Sequence, residues 1–284
     1  MYATMLLMII AALVVVGLCL GSFVNALVWR LHEQEEESGK KKPNNAYLKS
    51  LSISRGRSMC SHCHHPLAAK DLVPVFSWLW LQGKCRYCGK PIPDSPVVEL
   101  VTGLLFVTSY VFWPEVLQGW QIAIFGLWLA IVVGLVALTI YDLRWFILPN
   151  KLIYPLSVIA LVQSGIVIAV APDTAKALLD TALAVAVGGG IFYLIFQISS
   201  GKWIGGGDVR LGWLLGLIVG TPARSLLFIF IAALAGCIIS APLLLTGRLK
   251  RNAVIPFGPF LILGAFIVEL FGTNLLNWYQ NLFL

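Results

Sequence analysis

Four of the six cysteines in this 284-residue chain fall in two C-x-x-C pairs, Cys60-Ser61-His62-Cys63 and Cys85-Arg86-Tyr87-Cys88, separated by 21 residues. Each pair can present two thiolates from one tight turn. Two such turns complete a tetrahedral sulfur site of the kind that zinc prefers. Gly89 follows the second pair, and a small residue suits the turn there. A redox C-x-x-C usually occurs singly and beside a thioredoxin-like pattern, which this chain lacks. With four protein ligands, Cys60, Cys63, Cys85 and Cys88, the metal would be closed to substrate, and its part would be structural. His62, His64 and His65 crowd the first pair. One of them could stand in for a thiolate, but they are expected to be solvated loop residues. Cys19 and Cys237 lie alone in apolar runs and are expected to be small core hydrophobes.

A second chemistry rests on two aspartates. Residues 205–208 read Gly-Gly-Gly-Asp, followed by Val209 and Arg210. Gly205, Gly206 and Gly207 let the backbone bend sharply and come close to a ligand. Asp208 alone could be a helix N-cap, a favoured place for aspartate. Asp142 has no such explanation. It ends an apolar run, where a negative charge opposes the helix dipole, and Arg144 is too near in sequence to face it. A paired-carboxylate site would account for both. Two close carboxyls share one proton: the ionised one takes a proton from water, and the protonated one donates to the carbonyl oxygen of a peptide bond. That is sufficient apparatus for amide hydrolysis.

These groups must be positioned by apolar elements. The chain is 59% hydrophobic and only 12% charged, against about 25% charged in soluble domains. Apolar runs near 5–29, 97–113, 119–141, 152–171, 178–198, 209–220, 223–246 and 254–272 predict about eight transmembrane helices. The first run lacks the basic flank and cleavage site of a signal peptide and is expected to be a retained span. Eight spans place 30–96, 142–151, 199–208 and 247–253 on one side. Eighteen of the twenty Lys and Arg fall there, counting Arg210 at the edge and including Arg55, Arg248, Lys250 and Arg251. The positive-inside rule makes that side cytoplasmic and the N-terminus periplasmic. In that reducing compartment a disulfide between the four cysteines is disfavoured. Asp142 and Asp208, 66 residues apart, then meet at one membrane face. The stretch Glu33 to Asn45 is expected to be a mobile, solvated excursion. Its Lys40, Lys41 and Lys42 would either simply follow the positive-inside rule or touch anionic membrane lipid, and its glutamates argue against nucleic acid as a partner.

An ordered set of pieces now resembles the bacterial type IV prepilin peptidase family, of the GxGD class of intramembrane aspartyl proteases. The pieces are Gly21-Ser22-Phe23-Val24-Asn25 running to Trp29-Arg30, the paired C-x-x-C cluster around Pro74-Val75-Phe76-Ser77-Trp78, Asp142 with Pro149-Asn150, Gly205 to Asp208, and Pro256-Phe257-Gly258-Pro259-Phe260. Arg210 where relatives carry lysine, Leu148 where isoleucine is common, and the Asp94-Ser95 pair depart from the pattern.

The resemblance implies an all-α polytopic membrane protein with a first helix over 1–29, a small cytoplasmic zinc-binding insertion over 30–96, and a peptidase domain over 97–284. It implies catalytic roles for Asp142 and Asp208, and an active-site loop of Gly205 to Gly207 with Arg210. It further implies cleavage of prepilin or pseudopilin leaders at the bacterial inner membrane, in type IV pilus or type II secretion systems. Methylation of the new N-terminus would follow, with S-adenosylmethionine as donor. Glu99, Gly21 and Asn25 are the candidates for holding that donor, although small residues at Gly21 also suit plain helix packing. The competing readings are a transporter, since Gly205 to Gly207 could unwind a helix, and an inactive scaffold of a pilus or secretion assembly.

Overall fold

The computed structural model describes residues 2–53, 56–92, 95–247 and 255–283. Arg55, Asp94, Arg248, Lys250 and Arg251 lie outside the described residues. Two compact units divide the chain, Met1–Val111 and Phe112–Leu284.

The first unit is built on α1 (Tyr2–Ser38) and α4 (Val97–Val111), with the short helices α2 (Asn45–Ser50) and α3 (Phe76–Trp80) in the insertion between them. α1 and α4 pack through small residues. A Cβ on Gly17 would come within 2.6 Å of the Gly103 Cα, and one on Gly21 within 2.6 Å of the Glu99 Cα. Such seams let helix backbones approach closely where lipid removes the hydrophobic drive to associate. α4 therefore belongs to the same compact unit as α1.

α1 does not stop at residue 29. Its 37 residues reach about 55 Å, well beyond ~30 Å of hydrocarbon. The expected mobile excursion over 33–45 is thus corrected: helix continues to Ser38. Arg30, Gln34 and Glu37 form a polar face at helical spacing, and this face has partners. Arg30 donates to the carbonyls of Ser52 (3.1 Å) and Gly56 (3.2 Å), and Gln34 to that of Leu51 (2.8 Å). Glu37 is buried, accepts from the Asn44 amide at 2.8 Å, and pairs with Lys40 at 2.6 Å.

The second unit comprises α5 (Trp120–Trp145), α6 (Asn150–Val170), α7 (Thr174–Ser199), α8 (Gly206–Val219), α9 (Pro222–Leu245) and α10 (Gly258–Phe283). Local chemistry sets their ends. Asp173 caps α7 by accepting from the Lys176 amide, and Thr221 caps α9 with Pro222 in its first turn. Gly220, at φ +71°, ends α8 in the left-handed conformation. α7 and α8 touch backbone to backbone: a Cβ on Gly216 would lie 2.5 Å from the Ala184 carbonyl oxygen, and one on Gly212 2.5 Å from that of Gly188. Trp128, fully buried on α5, stacks on Phe266 of α10 at 5.7 Å.

Among the described residues, six helices are long and apolar enough to cross a membrane: α1, α5, α6, α7, α9 and α10. α4 and α8 complete the eight expected apolar elements but have 15 and 14 residues, or a little over 20 Å each. Cys19 and Cys237 are exposed on helix faces and are not core residues. In a bilayer a small apolar side chain is as comfortable against lipid as inside, so its type did not fix its facing.

Candidate active site and metal centre

Within the second unit, Asp142 lies in the last turn of α5 and is 5% exposed. The sequence left open what favours a carboxylate against the dipole of its own helix. The structure supplies the N-terminus of another helix: the backbone N–H of Gly258, first residue of α10, donates to Asp142 Oδ2 at 3.1 Å. Amides at helix N-termini are natural anion sites. The contact needs glycine, because a Cβ at 258 would stand 2.6 Å from that same oxygen. Phe146 closes α5 in the left-handed conformation (φ 56°), its N–H donating to the Asp142 carbonyl at 2.9 Å.

Asp208 lies in the first turn of α8, half-buried. It is not the N-cap; Gly205 is, with no side-chain cap. The carboxyl instead lies beside the glycine loop, Oδ2 3.7 Å from where a Cβ on Gly205 would be, and within electrostatic range of Asp142. Leu148 sits between the two carboxylates' supports. It lies 3.1 Å from where a Cβ on Gly207 would be, and 3.6 Å from where one on Gly258 would be. Arg210 ties the start of α8 to the start of α6. Its Nε donates to the Gly206 carbonyl at 3.0 Å, and its Nη1 to the Asn150 side chain. Asp142, Asp208, Gly205, Gly206, Gly207 and Arg210 therefore gather in one region, from segments far apart in sequence.

In the first unit, the ligand atoms of Cys60, Cys63, Cys85 and Cys88 all lie within 4.8 Å of one another. The Cys60 and Cys88 sulfurs are 3.9 Å apart, close to the ~3.8 Å edge of a zinc–sulfur tetrahedron with 2.3 Å bonds. The two knuckles repeat one backbone. His62 N–H donates to Cys60 Sγ and Tyr87 N–H to Cys85 Sγ, each at 3.4 Å. His64 N–H reaches the Cys60 carbonyl and Gly89 N–H the Cys85 carbonyl, each at 2.9 Å. Met59 bridges to Pro66 as Lys84 does to Pro91. His64 (φ 55°) thus holds the left-handed position that Gly89 (φ 68°) holds in the second knuckle.

The three histidines make contacts of their own. His62 Nε2 lies 3.1 Å from the Pro91 carbonyl, His64 meets the Tyr47 ring edge-on, and His65 stacks on Tyr87 at 3.7 Å. Burial pushes the Cys60 thiol up, but hydrogen bonds from the Cys63 and His62 amides and from the Cys85 and Cys63 thiols bring it down to about 7. Asp71 anchors the second knuckle, accepting from Arg86 at 2.7 Å and Tyr87 at 3.1 Å. Burial would raise its pKa; Arg86, the Ala68 amide and Tyr87 hold it below the usual carboxylate value.

The first unit also has an open cavity of about 460 Å³, within the range of small-ligand sites. Asn25 and Glu99 line it, with Phe23, Trp29 and Trp78. Glu99 is 8% exposed, and its Oε2 accepts from the Val75 amide at 2.5 Å. Gly21 does not line the cavity. It packs in the helix seam described above.

A family model described as the Bacterial Peptidase A24 N-terminal domain matches residues 15–113, and one described as the Type IV leader peptidase family matches 129–241. The chain is 31% identical to a prepilin leader peptidase/N-methyltransferase of Aeromonas hydrophila, over 94% of this chain and 92% of that one. It is likewise similar to proteins of the same description from Pectobacterium carotovorum (31%, covering 89% and 90%) and Bacillus subtilis (28%, covering 81% and 87%).

The chain belongs to the type IV leader peptidase family.

No solved structure matches it. Family membership and the six long apolar helices together make it a multi-pass bacterial membrane protein. The N-terminal family segment spans the cysteine cluster and the cavity, and the other spans both aspartates. Two supporting residues had no assigned role in the sequence, Gly258 and Leu148. The Pro256 to Phe260 run was a signal for the first. Leu148 stood in the sequence only as a departure from the family pattern before Pro149-Asn150, which gives no sign of its packing against both glycines.

Proposed function

We propose that the protein is a bifunctional prepilin peptidase and N-methyltransferase, acting at the cytoplasmic face of the inner membrane. The observation that carries the peptidase half is the convergence of Asp142, Asp208 and the Gly258 amide around Leu148. Asp142 and Asp208 act as a dyad sharing one proton. The ionised carboxylate takes a proton from water as the water attacks the scissile carbonyl. The protonated partner donates to the carbonyl oxygen, and the proton then moves to the leaving amine. The Gly258 amide fixes one oxygen of Asp142, and Arg210 fixes the entry of the glycine loop, so both carboxyls are oriented in advance of substrate.

Eighteen basic residues on one side of the expected topology support a cytoplasmic position for the active site. A prepilin or pseudopilin leader, basic and cytoplasmic with an apolar stem in lipid, would meet the dyad at the membrane edge. The peptidase machinery then lies in 112–284. Cys60, Cys63, Cys85 and Cys88 hold a structural zinc that folds the insertion.

For the second activity, S-adenosylmethionine supplies an electrophilic methyl group. The residues of the cavity in the first unit fit such a ligand: Glu99 offers a carboxylate to a cationic group, Asn25 a polar contact, and Phe23 and Trp29 aromatic surface. The test is incubation of the detergent-solubilised protein with a prepilin, with and without S-adenosylmethionine, reading product masses. The expected product loses its leader in both cases and gains one methyl only with the donor. An intact prepilin after incubation with folded, zinc-loaded enzyme would overturn the proposal.

A further inference from the structure

The insertion between α1 and α4 is rich in charge, yet one stretch of its surface is apolar. Leu72, Val73, Phe76, Leu79 and Trp80 are all exposed, Phe76 at 70% and Trp80 at 84%. At helical spacing Phe76, Leu79 and Trp80 share one face of α3, while Ser77, Trp78 and Leu81 fall on the other and line the cavity. One face of α3 therefore belongs to the cavity, and the other presents large apolar side chains outward. Exposed apolar patches of this kind mark a surface that meets another molecule or a membrane.

The register of α1 against α4 gives the depth of this face. Gly17 meets Gly103 and Gly21 meets Glu99, so the two helices run antiparallel and Glu99 lies level with Gly21. The apolar run of α1 begins near Met5. About 20 residues cross ~30 Å of hydrocarbon, which puts the far edge at about residue 25. Glu99 is then about four residues, or roughly 6 Å, inside that edge. Its Oε2 accepts from the Val75 amide at 2.5 Å, and Phe76, the next residue, is the first of α3. α3 thus starts at the boundary of hydrocarbon and headgroups. The other short helix of the insertion does not. Asn44, which caps α2, bonds to Glu37, about 24 Å farther along α1 than Gly21.

Residue types and charge identify what covers the apolar face. Tryptophan is favoured at the headgroup level, where its ring rests against hydrocarbon while its polar edge stays wet. The exposed cations Arg57, Lys70, Lys84 and Lys90 lie in the same segment. Asp71, the sole acidic residue described between 56 and 92, is already paired with Arg86. The segment's charge thus complements anionic headgroups.

We infer that α3, with Leu72 and Val73, is an interfacial anchor: Phe76, Leu79 and Trp80 enter the leaflet on the insertion's side and seat the insertion on the membrane. Because Ser77, Trp78 and Leu81 of the same helix line the cavity, the anchor also holds the cavity at the lipid surface.

The test is photocrosslinking of the full-length, zinc-loaded protein in vesicles of phosphatidylethanolamine and phosphatidylglycerol. p-Benzoylphenylalanine replaces Trp80 or Phe76, each an aromatic-for-aromatic change on an exposed face, and Asn45 on α2 serves as the distant comparison. After irradiation and digestion, the peptides carrying positions 76 and 80 are expected to gain the mass of one phospholipid, and the peptide carrying position 45 to gain none. Zinc content equal to that of the wild type verifies the fold of each variant. A lipid adduct at neither 76 nor 80 would overturn the inference, whether the label joins residues 112–284, a second copy of the chain, or nothing. Equal lipid adducts at position 45 would overturn it too, since lipid would then not distinguish α3 from the rest of the insertion.

Discussion

In the insertion, the four thiolates come from two knuckles 25 residues apart that repeat the same turn, down to the amide-to-sulfur contacts and the left-handed residue after each second cysteine. In the transmembrane unit, Asp142 and Asp208 are 66 residues apart, and Gly258 is another 50 further on. They occupy the end of one helix and the beginnings of two others. The knuckles are built by local backbone, and a metal can close them. The aspartate region has no local builder. Its geometry depends on how α5, α6, α8 and α10 pack, and on glycines that admit backbone where a side chain would collide. The metal centre should therefore fail by ligand loss and local unfolding, whereas the aspartate site should fail by displacement within an intact fold.

The largest expected effect sharpens this contrast. Asp142→Asn or Asp208→Asn should each cut leader removal by about 10²–10⁴-fold, as expected for a general acid or base, with zinc content unchanged. An assay of prepilin cleavage beside metal analysis checks it, and full activity in either variant would favour a scaffold. Next is Cys60→Ser. It removes a buried ligand and should weaken zinc binding by at least ~100-fold, more than the loss of an outer-shell partner. Limited proteolysis should then cut within 56–92 while the transmembrane helices stay protected. A protease-resistant insertion in the zinc-free variant would break the comparison, since the knuckles would then not need their metal.

How far these features could be read in advance follows the same division. The four-cysteine cluster was legible because ligand type and spacing are both local. That His64 occupies a left-handed position equivalent to Gly89 was not, since histidine is no turn signal; only alignment of the two C-x-x-C-x-x-P runs shows it. Asp142 stood out as a charge in the wrong place on its helix. What holds it, the Gly258 amide, is a backbone group that no side-chain pattern announces. α1 was read as ending near residue 29 because its apolar run ends there. It continues because Arg30, Gln34 and Glu37 find polar partners in the backbone just before and after α2, contacts invisible to hydropathy. Gly21 kept two readings in the sequence, since small residues serve a helix seam as readily as a ligand, and its place in the seam shows only with the packing of α1 on α4.

A smaller effect probes the packing of the aspartate site directly. Gly258→Ala adds a Cβ 2.6 Å from Asp142 Oδ2, so the carboxylate must move. Cleavage should fall by about 10–10²-fold, the scale of an ångström-sized misplacement, with little change in melting temperature. Wild-type cleavage would show that the amide contact does not orient Asp142.

The smallest effect belongs to the insertion. Asp71→Asn keeps the size but loses the charge that Arg86 meets, and should lower the melting temperature by about 2 °C or less. Because the Asp71 pKa is depressed, its contribution is present above the usual carboxylate value of about 3.9. It is lost as pH falls through the lower folded value. The wild type and Asp71→Asn should therefore converge in stability under strong acid, as followed by thermal melts across pH.

The most direct measurement of the central claim is the cleavage rate of Asp142→Asn/Asp208→Asn beside the two single variants, on one prepilin in lipid vesicles. Carboxyls that share a proton work as one unit, and residues that act as a unit are non-additive when removed. The double variant is therefore predicted to be no slower than the more damaged single variant. Multiplying losses, or a single variant that cleaves at the wild-type rate, would contradict a shared proton.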